Sequence, residues 1–190
     1  IPEGDSPSDG ALFSDLAPLS ASDSIAAVLS MPAGEEHGYL FMATEQGLVK
    51  RVRLADMPGL VTKPFPVMNV ADDDKLGWVF ATDGNREVIL STREEMAIRF
   101  SERDVRPTGL PAGGMKGVKL ANERSRVVGA DIVREGEYVL TVSDDAVAKV
   151  SAISDYPVQG RAGGGVITMR LPKSSRELAA TAVVNLDQTA

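Results

Sequence analysis

The sequence predicts an all-β chain assembled from repeated units of about four strands. Three observations carry that prediction. Short runs of β-branched and apolar residues recur along the 190 residues, separated by Gly, Asp, Pro or Asn. Glycine fills 18 positions, above the usual ~7%, as tight turns with positive φ require. No stretch carries a 3.6-residue apolar stripe, and helical character is confined to Thr92–Met96 or Ser14–Ser20.

Each predicted strand has its own boundary signal. Ile25–Leu29 is a short apolar run between serines. Tyr39–Thr44 and Val49–Leu54 flank Gly47, and the second stops at Asp56 and Pro58. Leu76–Ala81 lies between Asp72-Asp73-Asp74 and Asp83-Gly84-Asn85. Val88–Thr92 and Ala97–Phe100 flank Glu94-Glu95. Val127–Val133 ends before Gly136, and Tyr138–Ser143 and Ala148–Ile153 flank Asp144-Asp145. Val166–Leu171 runs from Gly165 to Pro172, and Leu178–Val184 ends at Asn185.

The strands repeat. Residues 40–57, 88–105 and 139–156 align without gaps. Each is an apolar strand ending in Thr44, Thr92 or Ser143, then a turn, then a strand carrying Lys50, Ile98 or Lys149. Each closes on Asp56, Asp104 or Asp155, twelve residues after the hydroxyl. A landmark strand recurs at 24–30, 75–81, 127–133 and 177–183, with steps of 51, 52 and 50 from Ile25 to Leu76, Val128 and Leu178. A repeat of this size holding about four strands is one propeller-type blade, and neighbouring blades must stack to bury both sheet faces. The reading is one domain, 1–190, with repeats at approximately 21–70, 71–122, 123–172 and a partial 173–190, hence three to four blades.

Composition excludes several chemistries. There is no cysteine, so no disulfide, thiolate site or Cys nucleophile. The single histidine, His37, rules out two-histidine metal sites and reads as a solvated turn residue. No apolar run approaches the ~20 residues of a membrane helix. The opening Ile-Pro-Glu-Gly has no Met start or signal peptide and reads as an excised or processed piece. The glycines form no nucleotide-binding P-loop and no nucleophile elbow. Asp72-Asp73-Asp74 lacks the ligand spacing of a cation loop and reads as a solvated turn. Trp78, in a blade strand, reads as core.

The formal charge is −7, which argues against nucleic acid at first sight. The excess is confined to residues 1–49, with eight acids and no Lys or Arg. Residues 50–190 hold all 20 basic residues against 19 acids.

Two stretches are more specific than the period: Arg99–Leu120 (RFSERDVRPTGLPAGGMKGVKL) and Lys149–Leu171 (KVSAISDYPVQGRAGGGVITMRL). Both have a basic residue in a strand, an Asp before Val105 or Tyr156, and a Gly- and base-containing loop ending Gly117-Val118 or Gly165-Val166. They resemble blades of the C-terminal domain of the A subunit of bacterial DNA gyrase, and of the matching subunit of topoisomerase IV. Residues 41–57 resemble the family's Thr-Gly-Val-Lys hairpin, and Ile1–Val28 its entry to a second blade. The likeness covers essentially the whole chain. It departs at Glu94-Glu95 and Asp145-Ala146, where the family has Gly-Lys, and at residues 58–67, which hold three prolines and one Lys. Gln159–Gly165 keeps four of seven positions of the family's wrapping box, Gln-(Arg/Lys)-Arg-Gly-Gly-(Arg/Lys)-Gly.

The resemblance implies a β-pinwheel, a propeller-like disc whose blades exchange strands, here partial. It implies a non-catalytic segment that binds and bends double-stranded DNA around a basic rim, guiding strand passage and supercoiling. The parent would be an ATP-dependent type II topoisomerase in the bacterial cytoplasm, at the nucleoid. The implied partners are DNA, the rest of the A subunit, which links the domain to the ATPase B subunit, with no membrane and no cofactor in this segment. Tyr39, Tyr138 and Tyr156 read as blade structure. Phosphate contact needs Lys, Arg and backbone N–H groups. The candidate DNA-binding residues are Lys50, Arg51, Arg53, Arg99, Arg103, Arg106, Lys116, Lys119, Lys149, Arg161 and Arg170. An alternative from another class is a pinwheel-fold protein-interaction or regulatory module that no longer binds DNA strongly, which the net charge favours.

Overall fold

The structure is a computed structural model and describes residues 23–30, 37–58, 63–134 and 136–186, with Gly10 and Ser20. Its strands are β1 (Tyr39–Thr44), β2 (Leu48–Arg53), β3 (Leu76–Thr82), β4 (Glu87–Thr92), β5 (Met96–Ser101), β6 (Met115–Lys116), β7 (Val127–Val133), β8 (Tyr138–Ser143), β9 (Ala148–Ala152), β10 (Val166–Ile167) and β11 (Leu178–Val184). Among the described residues the helical elements are three short 3₁₀ turns, Leu54–Asp56, Glu102–Asp104 and Ile153–Asp155.

The repeating residues have local causes. In the hairpins β1–β2, β4–β5 and β8–β9, a turn residue just before the second strand lies in the left-handed region: Gly47, Glu95 and Ala146. The hydroxyls that end the first strands brace two of these turns, with Thr44 Oγ1 accepting from Leu48 N and Ser143 Oγ from Val147 N, both at 3.1 Å. The repeating aspartates Asp56, Asp104 and Asp155 each end a 3₁₀ turn, which closes with the next residue's N–H bonded to the carbonyl of Leu54, Glu102 or Ile153. Asp74 Oδ1 accepts from Gln46 N and Lys75 N, so the third aspartate of the Asp72-Asp73-Asp74 run is a turn brace.

The sheet orders are β3-β1-β2-β6, β7-β4-β5-β10 and β11-β8-β9. Each hairpin therefore takes the landmark strand that follows it on one edge. In the first two blades the other edge is closed by a short strand that arrives only after the hairpin of the next blade: β6 crosses back to β2, and β10 to β5. This strand exchange, with propeller-like blades of about 51 residues, is the pinwheel arrangement. β3 and β11 both approach β7, which leaves β6 and β10 on the outer edges.

Burial follows the pleat. Phe41 and Ala43 of β1 face a core shared with Val88, Leu90, Ile98 and Phe100 of the second blade. Leu40 and Met42, alternating with them, face the opposite side against Val52, Leu54 and Met68. Both faces of β1 are covered, so its sequence is apolar almost throughout. A further cluster, with Ile89, Val133, Val139 and Tyr156, joins the second and third blades. Val127 N to Glu45 O (2.7 Å) and Leu178 N to Arg93 O (2.9 Å) tie each landmark strand to the hairpin turn of the blade before its own. Trp78 is partly buried against the first core.

Three expectations shift. Ile25–Leu29 has no strand pairing and is exposed, although it has the phase of β3, β7 and β11. Those strands each pair with a hairpin preceding them in the chain, and among the described residues none precedes Ile25. Val166–Leu171 contracts to Val166–Ile167, because the crossover contacts β5 over two residues. Thr92–Met96 is the β4–β5 turn. The Ser14–Ser20 region, apart from Ser20, lies outside the described residues.

β7 and β11 meet at Gly129, where an added Cβ would stand 2.0 Å from Thr181 Oγ1 and 2.6 Å from Thr181 O. Gly129→Val should therefore lower unfolding stability by about 1–3 kcal/mol through overpacking, read by urea denaturation, while Thr181→Ser at the same contact should cost less.

Candidate nucleic-acid interface

The eleven predicted contact residues separate by burial into three groups. Lys50, Arg51 and Arg99 point inward. Lys50 is fully buried, and its Nζ donates to Val67 O, Gly109 O and Ala112 O at 2.8–2.9 Å, which commits all three N–H groups. Burial lowers its pKa. Arg51 donates from Nε to Val105 O (2.9 Å), lies 3.6 Å from the buried Glu102 carboxylate and stacks 4.4 Å over the Tyr39 ring. Glu102 is itself satisfied by Thr82 Oγ1 and Arg86 N, both at 2.7 Å, so the buried pair leaves no orphan charge. Arg99 pairs with Glu87 and donates to Ile153 O (2.9 Å) and Tyr156 O (3.2 Å). These three cations are carbonyl clamps. Lys50 and Arg51 hold the crossover that brings β6, and Arg99 the one that brings β10. The three Lys50 donors are all committed to carbonyls, Arg51 is buried, and the half-buried Arg99 is turned to Glu87 and two carbonyls, so all three serve contacts inside the fold.

Arg53 and Arg103 lie beside the 3₁₀ turns. Both are exposed, Arg53 3.9 Å from Asp56 and Arg103 donating to Asn85. Acids are their neighbours, so the field there is mixed.

The remaining residues belong to the crossovers and their outer edge. Lys116, Lys149 and Arg170 are exposed, as are Arg106 and Lys119. Arg161 is held by Asp104 O (2.9 Å, from Nε) and Lys116 O (2.8 Å, from Nη1). Two backbone bonds zip the crossovers together, Ala162 N to Gly117 O (2.6 Å) and Lys119 N to Gly163 O (2.8 Å). The structure thus brings Lys116, Lys119 and Arg161 into one patch at the junction of the first two blades. Lys149 donates to Thr168 O (3.0 Å) and lines an outer groove with Arg170.

The crossovers carry charge of one sign. Residues 105–122 contain Arg106, Lys116 and Lys119 with no acid; residues 156–173 contain Arg161, Arg170 and Lys173 with no acid. Acids collect instead at the turns, as at Asp72, Glu94 and Asp144. Lys173, in the same crossover, was not among the predicted contacts. Its signal, an acid-free segment, has meaning only once that segment is known to lie on the rim. Elsewhere, a cavity of about 660 Å³ is lined by His37, Asp83, Arg86, Asp131 and Arg134. Burial raises the Asp131 pKa, and its carboxylate already accepts from Ile132 N and Val183 N. Among the described residues no cluster of three or more His, Cys, Asp or Glu is arranged to hold a metal, and no helix is long and apolar enough to cross a membrane.

Strand-exchanged, propeller-type blades with basic crossovers define the class of this domain. The family model for the DNA gyrase C-terminal domain, a beta-propeller, matches residues 38–83, 86–134 and 137–185, each span one hairpin with its following landmark strand. The chain belongs to that family. It is 33% identical over 190 residues to the DNA gyrase A subunit of Ureaplasma parvum serovar 3, covering 100% of this chain and 22% of that protein. It is 30% identical over 189 residues to the DNA gyrase A subunit of Mycobacterium tuberculosis, covering 98% and 22%. The solved C-terminal domain of a DNA topoisomerase IV superposes with a TM-score of 0.84 at 24% identity, over 93% of this chain and 55% of that one. The chain therefore spans about a fifth of the length of these gyrase proteins.

Lys50→Ala should destabilise the fold by roughly 2–4 kcal/mol by leaving three carbonyls without their shared donor. Thermal or urea unfolding reads this directly, and Lys116→Ala, on the surface, should stay within ~0.5 kcal/mol of the parent.

Proposed function

We propose that this chain is a non-catalytic domain of a type IIA topoisomerase A subunit that binds duplex DNA along its outer rim and bends it for strand passage. The observation that carries this reading is the acid-free, basic composition of the two crossovers that occupy the outer edge. A surface that follows phosphates without reading bases needs positive charge and close backbone approach. The zipped crossovers supply both, with Lys116, Lys119 and Arg161 beside the glycines 163–165. The net charge of −7 weakens long-range attraction, and each phosphate neutralised on the rim makes binding fall more steeply with salt. In the parent protein the domain works with the remainder of the A subunit, which links it to the ATPase B subunit, in the cytoplasm at the nucleoid. Membership of the gyrase C-terminal family and the identity to gyrase proteins support this setting.

The test is a fluorescence titration with a duplex of about 40 base pairs at several salt concentrations. Replacing Arg106, Lys116, Lys119 and Arg170 together by Gln should weaken binding to any duplex sequence. It should also flatten the slope of log K against log salt by about 0.9 for each phosphate left unneutralised. Arg53→Gln and Arg103→Gln should change the slope little. An unchanged slope in the fourfold variant rejects the rim assignment. Absence of any binding by the parent chain at low salt favours the protein-interaction module instead, a reading supported by the eight acids and absent Lys or Arg of residues 1–49.

A further inference from the structure

The cavity of about 660 Å³ is lined from β3 and β7, the strands on the sheet edges opposite β6 and β10. Its apolar wall is built by the repeat. Leu29, Phe80 and Ile132 follow one another at the same steps of 51 and 52 residues, so three successive landmark segments bring one repeat position to one space. Ile132 is 8% exposed and Phe80 packs in part against the first core, whereas Leu29 is 40% exposed. A space of this size, with an apolar wall and a few convergent polar groups, suits a small organic molecule.

The polar groups decide the charge that molecule carries. Arg86 pairs with Asp83 at 2.9 Å, and Arg134 with Glu137 at 3.2 Å, each within its own loop. His37 is engaged by a contact of its own. Asp131 is the cavity carboxylate with no ion-pair partner among the described residues. Its two oxygens accept from Ile132 N (2.8 Å) and Val183 N (2.9 Å), and each keeps a further lone pair. Burial raises its pKa, as for a carboxylate short of compensating positive charge. Arg86 and Arg134, set against Asp83, Asp131 and Glu137, leave one negative charge at the cavity.

We infer that this cavity binds a small organic cation, a single protonated amine carried on an aromatic body. The ammonium pairs with Asp131 through charge-assisted hydrogen bonds, and the body covers Leu29, Phe80 and Ile132. The charge count sets the selectivity. A cation brings the cavity to neutrality, whereas an anion adds to the uncompensated charge of Asp131, and a neutral ring leaves that carboxylate unpaired. Arg134 is the like charge that limits affinity, softened by its bond to Glu137. The cavity lies apart from the basic crossovers, so the inference does not rest on DNA binding.

The probe is phenethylammonium, titrated into the whole isotope-labelled 190-residue chain at constant ionic strength and followed by amide chemical shifts. The shifts should saturate with a Kd of about 1 mM or tighter. They should concentrate at residues 80–86 and 131–134 and spare the crossovers. Phenethyl alcohol, its neutral isostere, and phenylpropanoate, an anion, should each bind at least about tenfold more weakly. Asp131→Asn, which keeps an acceptor for Val183 N, should weaken phenethylammonium about tenfold. Arg134→Gln should tighten it about two- to fivefold, by removing a like charge and releasing Glu137. Arg134 is 68% exposed, and a gain in affinity is not a result that misfolding produces. Absence of saturation overturns the inference, as does equal binding of the alcohol or unchanged affinity in Asp131→Asn. An affinity that Arg134→Gln lowers or leaves unchanged overturns it too. So do the same shifts with potassium or magnesium alone, or shifts confined to the exposed acids of the turns, since either would show a general cation effect in place of a built site.

Discussion

The outer backbone edge of a hairpin must be paired, and the chain that reaches it in the first two blades arrives from the far side of later strands. Leu48 pairs with Lys116 and Met96 with Ile167, so each closed blade contains two distant pieces of sequence. This constraint makes neighbouring blades mutually dependent, as in repeat proteins generally. It explains why inward-turned cations sit in β2 and β5, buried at Lys50 and Arg51 and half-buried at Arg99. A crossover running over a sheet edge brings carbonyls that no strand ladder satisfies, and a long cationic side chain can bridge several of them from one position. Lys50 does so for two, with Val67 O as a third partner outside the crossover, and Arg99 for two while also pairing with Glu87.

The basic residues of this chain therefore serve two ends, and burial decides which. Lys50, Arg51 and Arg99 stabilise the crossovers from within. Arg106, Lys116, Lys119 and Arg170, on or beside the same crossovers, face outward. Arg161 stands between these roles: its guanidinium holds Asp104 O and Lys116 O, so it positions the backbone that carries Lys116. Structural and surface cations thus converge on the same few segments. The one-signed rim depends on the clamps that hold it, so damage to a clamp and removal of a surface charge would both change the rim, for different physical reasons. Stability measurements separate them.

Much of the fold was legible because its signals are local. The apolar runs, the Thr44 and Ser143 braces and the aspartates that end the 3₁₀ turns all lie within one hairpin, so a fixed spacing records them. Val127–Val133, Tyr138–Ser143 and Leu178–Val184 matched their predicted bounds. β6 was not legible: two residues long, it is set by contact with β2 rather than by β-propensity. Ile25–Leu29 has the right pattern and no pairing, because an apolar period records a strand's capacity to pair and not the presence of its partner. Of the candidate contacts, Lys50 and Lys116 are alike as residue types; nothing local marks one for the interior and the other for the surface.

The amino-acid sequence by itself determined the strand period, the hairpin turns and the resemblance to the gyrase C-terminal family, since these rest on residue spacing and local backbone preference. The tertiary structure alone decided which cations are clamps and which are surface, and that the acid-free segments form the outer edge. Those outcomes depend on pairings between residues roughly 70 apart in the chain, and a local pattern carries no record of which distant backbone will lie across it.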